Sequence, residues 1–153
     1  MNNILIATDG SPEARKAVEL GIEIASDHEA TVVLVQVIPP AHWTQFDPGV
    51  RIQAIPAELR LRRAMALHEA AELAAERGVQ STFEVLEGNP ADEIVAYADS
   101  IDAGLVVIGS RRRGALAGAL LGSVSRDVVR ESRRPVLVVK GTPRRVEALA
   151  GAA

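Results

Sequence analysis

The 153-residue chain has no cysteine, which excludes disulfides, thiolate zinc sites and thiol catalysis. Aromatic residues make up only 3%. Trp43, Phe46, Phe83 and Tyr97 are scattered singly, so the stacking platforms of single-stranded nucleic-acid binders are missing. No nucleic-acid partner is expected. Long hydrophobic runs are also missing. Met1-Asn2-Asn3 carries no basic region, and the apolar run from Ile4 to Ala7 is too short for a signal peptide or a membrane span. The expectation is a cytoplasmic protein without a membrane partner. His28, His42 and His68 lie far apart and lack metal-ligand spacing, so they read as surface residues and no protein-held metal is expected. No Ser-His-Asp or paired-carboxylate arrangement assembles, so no catalytic residue is nominated.

Hydrophobic residues are plentiful, at 48%, and they are Val, Ile, Leu and Ala. A chain of this length and composition folds as one globular domain. The apolar run Asn3 to Asp9 reads as a buried strand, closed by Gly10-Ser11-Pro12. Ser11 is placed to cap a helix with Pro12 at its first position. Thr31–Ile38 is a second strand, apolar almost throughout, as strands covered on both faces are. Residues from Pro39 to Ile55 read as an irregular loop. A helix runs from about Pro56 to Arg77, then a third strand from Ser81 to Glu87. Asn89 and Pro90 open the next helix, with Ile94, Ala98 and Ile101 on its buried face. Leu105–Ile108 is a fourth strand ending at Gly109. A helix from about Gly122 to Ser132 and a strand from Pro135 to Lys140 complete the domain, and residues 141–153 form an Ala-rich, frayed tail. Five strands alternating with helices predict an α/β fold over residues 1–140: an open parallel sheet with helices on both faces. Ligands of such sheets sit beyond the carboxyl ends of the strands.

Charge is distributed unevenly. Residues 1–108 carry 7 Lys/Arg against 17 Asp/Glu, whereas residues 109–140 carry 8 against 2. The basic stretch points either to a bound anion or to a solvated helix face. Glu58, Glu69, Glu72 and Glu76, with Arg60, Arg62 and Arg63, read as a solvated, ion-paired face of the second helix.

The stretch from Gly109 to Ser125 leaves a buried strand and feeds a helix. Glycine lets a backbone approach a phosphate, and a helix N-terminus adds N–H donors and partial positive charge. The candidate Gly109-x4-Gly114 continues Ala115-Leu116, so it is no Walker A loop, and G-x-G-x-x-G occurs at no strand end. A tight turn is the alternative use of these glycines. The spacing from Gly109 through position 112 to Gly122-Ser123 resembles the ATP-loop signature of universal stress proteins. Four further segments agree in order: Ile-Leu-Ile-Ala-Thr-Asp-Gly-Ser, Leu-Val-Gln-Val, Glu-Gly-Asn-Pro-Ala-Asp-Glu-Ile and Arg-Pro-Val-Leu-Val-Val.

The resemblance implies a Rossmann-like sheet of order 3-2-1-4-5 and a site for ATP, with Mg²⁺. It places Ala7, Thr8 and Asp9 against adenine and ribose, and the backbone of Val37 at the adenine edge. Ile108 and Gly109 would approach ribose and phosphates, and Gly122, Ser123, Val124 and Ser125 would bind the phosphate chain. It further implies a homodimer through the last strand, Val136, Leu137, Val138 and Val139. Two positions depart from the pattern: Gly104 stands where the family usually has an acidic residue before the fourth strand, and Arg112 where it has its second loop glycine. There it either blocks phosphate binding or assists it. Asp9 also has a plainer reading, as a turn residue beside Gly10-Ser11. Three functions follow: an ATP-binding switch or reservoir with slow hydrolysis at most, a nucleotide-free dimeric interaction module, or an ATP-using enzyme with the Pro39–Ile55 loop as lid.

Overall fold

The structure, a computed structural model, describes residues 1–40, 56–110 and 122–140. Arg112, His42, the residues beyond Pro40 of the expected lid and the expected tail lie outside them. The elements run β1 (Asn3–Ala7), α1 (Pro12–Asp27), β2 (Thr31–Ile38), α2 (Ala57–Glu76), β3 (Ser81–Glu87), α3 (Pro90–Ser100), β4 (Leu105–Ser110), α4 (Ser123–Glu131) and β5 (Val136–Lys140). All strand pairs are parallel and the order is β3-β2-β1-β4-β5. The predicted α/β sheet and its 3-2-1-4-5 order are therefore observed.

Alternation along the strands builds two cores. Ile4, Ile6, Val32, Leu34 and Val107 face Ala17, Val18 and Ile22 of α1 and Leu67, Ala70 and Ala74 of α2. Leu5, Ala7, Val35, Val106 and Ile108 face Ala91, Ile94 and Ala98 of α3 and Val128 of α4. Successive strand residues point to opposite faces, so a run that is apolar throughout suits a sheet covered twice. Both edges differ from this. On β3, Phe83 and Val85 are exposed, and all five residues of β5 keep some exposure.

Local signals set the ends of the helices. The Ser11 hydroxyl accepts from Ala14 N at 3.2 Å and the Asn89 side chain accepts from Asp92 N at 3.2 Å. In both helices Pro occupies the first turn, where its missing N–H costs nothing. α2 starts at Pro56 with no side-chain cap. Among the described residues, no helix is long and apolar enough to cross a membrane.

Candidate functional site

Strand order reverses between β1 and β4, and the crevice beyond their carboxyl ends holds a cavity of about 570 Å³. β1 supplies one wall. Thr8 N donates to Val35 O at 2.9 Å, extending the ladder one residue past Ala7. The chain then turns sharply: Gly10 has φ +79°, Gly10 N donates to Thr8 Oγ1, and Ser11 N donates to Asp9 Oδ1 at 2.8 Å. Asp9 thus holds the turn that sends the chain into α1, and it is one of the residues lining the cavity.

The polar end of the cavity is the start of α4. Gly122 is the N-cap, in extended backbone, and makes no side-chain cap bond. Ser123, Val124 and Ser125 follow as the first turn of α4 and line the cavity. α4 alone of the four described helices has no acidic residue in its first turn. The first-turn N–H groups and the helix dipole therefore meet no carboxylate of their own helix, which favours an anion there. The Ser125 hydroxyl donates to Gly122 O at 3.1 Å and is buried, so it braces the cap.

The opposite end is apolar, formed by Val35, Val37, Pro39, Pro90 and Ile94. Its polar edge is the carbonyl of Val37. Residues two apart on a parallel strand bond to the same neighbour, so Val37 O faces the side on which Val35 O meets Thr8 N. By that point β1 has turned away. Arg63 of α2 fills the place, its Nη1 donating to Val37 O at 3.1 Å. The α2 backbone is held there by Gln36, whose buried amide donates to Arg63 O at 2.8 Å. Arg63 Nε is buried and finds no hydrogen-bond partner among the described residues.

A 570 Å³ cleft with one apolar end and a helix N-terminus at the other has the size and polarity of a nucleotide-sized ligand site. Residues 1–140 match the model of the universal stress protein family. The chain belongs to that family. It is 35% identical to the universal stress protein MJ0531 of Methanocaldococcus jannaschii over 137 residues, spanning 90% of this chain and 81% of that one. It resembles a universal stress protein solved in complex with cAMP, at 27% identity and TM-score 0.68, covering 90% of this chain and 96% of that one. It also resembles the universal stress protein from Archaeoglobus fulgidus in complex with dAMP, at 25% identity and TM-score 0.65, covering 92% and 98%.

In this universal stress protein the site residues named from sequence gather closely. Ala7, Thr8, Asp9, Val37, Ile108, Gly109, Gly122, Ser123, Val124 and Ser125 all line the one cavity. Arg112 lies outside the described residues. One sequence reading needs correction. Arg63 was assigned to a solvated face of α2, yet it reaches the base of the cleft; helical charge patterning cannot see a strand 26 residues away in sequence. The basic stretch, read as serving either a bound anion or a solvated helix face, is described in part, and its described arginines do not line the cleft. Arg126 and Arg130 pair with Asp127, Arg130 also pairs with Glu131, and Arg134 pairs with Asp99 and Asp102. These hydrogen bonds to carboxylates hold the Arg130 and Arg134 guanidinium groups above their ordinary pKa. Arg126 and Arg130 thus lie on a solvated helix face, whereas Arg134, beyond α4 and only partly exposed, ties to Asp99 of α3 and to Asp102. His28 and His68 are exposed, as expected, and His68 meets Glu72 at 3.2 Å. Among the described residues no three His, Cys, Asp or Glu side chains gather to hold a metal.

Proposed function

We propose that this universal stress protein is a regulatory, stress-response protein that binds a nucleotide, ATP in the first instance, in the cleft between β1, β4 and α4. One observation carries the reading: ten residues named from sequence come from separate elements and meet around one cavity of about 570 Å³ that ends on the N-terminus of α4. Two family members of similar fold are solved with adenine nucleotides, cAMP and dAMP, which supports an adenine ligand. In this arrangement the α4 amides and Gly109 meet the phosphates, Asp9 faces the ribose, and the base enters between Val37, Pro39 and Ile94. Mg²⁺ would enter on the phosphates of ATP; the chain's own carboxylates in the cleft are Asp9 and Glu13. The protein acts as a switch or reservoir, with slow hydrolysis at most, in the cytoplasm, as a homodimer through β5. Mass spectrometry of the denatured purified protein, followed by ATP titration, tests the binding. The absence of co-purified nucleotide together with no binding at millimolar ATP would overturn it.

A second reading, a nucleotide-free interaction module of the same fold, is favoured by one feature. The carbonyl at the base end, Val37 O, is already engaged by Arg63 within the chain. Arg112→Gly separates the two readings: if that change alone creates ATP binding, the natural protein belongs to the nucleotide-free class. Phosphate release with ATP and no partner, well above background, would instead support an ATP-using enzyme.

A further inference from the structure

The base end of the cleft has one polar edge, and Arg63 controls it. Val37 O is an acceptor, suited to a ligand amino group. Arg63 Nη1 donates to it at 3.1 Å, so that acceptor is partly spent. The same guanidinium brings a buried Nε–H that has no partner among the described residues. Its helix is anchored at this point by the Gln36 bond to Arg63 O, so the side chain is rooted in place. Nε itself is closed off by the protein, so the edge presents the Nη donors where an unoccupied carbonyl would present an acceptor. A planar guanidinium fork pairs two acceptors side by side, as O6 and N7 of a 6-oxo purine do. A 6-amino purine brings N–H groups to the same edge, and two donors face one another. A buried donor left unpaired is costly, which makes this edge selective in whichever direction it is satisfied.

We propose that Arg63 is the specificity-determining residue of the cleft: its guanidinium weakens selection for a 6-amino purine and lets 6-oxo purine nucleotides bind alongside ATP. The inference rests on the nucleotide reading of the cleft. ATP and ITP test it, because they carry the same triphosphate and differ in the base at the 6-position and its adjoining N1. Calorimetric titration of the full chain should give affinities for the two within about tenfold of each other. Arg63→Met removes the fork and frees Val37 O, and should shift the affinity ratio toward ATP by about tenfold or more. Arg63→Lys keeps the charge without the fork and should shift it in the same direction. A loss of charge or of folded fraction weakens both nucleotides alike and cancels in the ratio. Binding intact with the wild-type ratio retained in both variants overturns the inference alone. So does a wild-type preference for ATP beyond about a hundredfold, more than one lost base-edge pair usually explains. If neither nucleotide binds wild type or variants, the nucleotide reading itself has failed and the inference falls with it.

Discussion

A Cβ at Gly109 would stand 2.9 Å from Glu13 O and 3.1 Å from Ala14 Cα. Both neighbours are backbone or backbone-linked atoms of the first turn of α1, so neither can swing aside. Gly109 thus has a packing reason to be glycine that is independent of any phosphate. Gly109→Ala should destabilise the fold by about 1–3 kcal/mol, the usual range for overpacking, read as a lower denaturant midpoint. Ser123 separates stability from binding. Ser123→Glu puts a carboxylate at a helix start that has none, and should stabilise the fold by about 0.3–1 kcal/mol. The same carboxylate would repel phosphates, so ATP binding by calorimetry should fall sharply. A variant that binds ATP as wild type does would remove α4 from the phosphate site. These two residues were named from sequence because glycine and serine at a strand-to-helix passage are local signals. Arg63 was not, because nothing within α2 marks which of its arginines meets the end of β2.

At the scale of elements, Asn89 offers a control. Its side chain caps α3 through Asp92 N and it does not line the cleft. Asn89→Ala should cost about 1 kcal/mol of stability and leave ATP affinity unchanged, by thermal unfolding and titration in parallel. Strand bounds were legible where turn residues sit beside a fully paired strand. Thr31–Ile38 and Ser81–Glu87 are observed as predicted because their ladders run to the last residue. β1 ends two residues early, at Ala7, because Thr8 and Asp9 enter the turn. β4 runs two residues longer, since Gly109 pairs with Val139 and Ser110 with Lys140. A glycine read as a stop was carried through the ladder by its neighbour.

At the scale of the whole molecule, β5 pairs with β4 on one side only. Val136 and Val138 pack onto one core and Leu137 and Val139 onto the other, yet all four remain partly exposed. An apolar edge of this kind invites pairing with a second copy. Sedimentation at micromolar concentration should find a dimer, and a monomer alone would count against the β5 interface. Ligand binding should also register across the whole fold. At ATP a hundredfold above its dissociation constant, unfolding should cost about 2.7 kcal/mol more than without nucleotide. A melting temperature that does not move with ATP would contradict binding to the folded state.

Hydrophobic period, glycine and proline punctuation and capping residues are properties of neighbours in the chain. They determined the five strands, the alternating helices, the parallel class of the sheet and the glycine-serine start of α4. The grouping of Ala7, Thr8 and Asp9 with Ile108, Gly109 and Gly122 around one cavity followed from the family resemblance and was found in the fold. Tertiary structure decided the long-range charge contacts. Arg134 reached Asp99 and Asp102 and Arg63 came to rest on Val37 O, whereas Arg126 and Arg130 pair with sequence neighbours within α4. A charge acts on whatever lies within a few ångströms, and those neighbours are chosen by the packing of helices on the sheet.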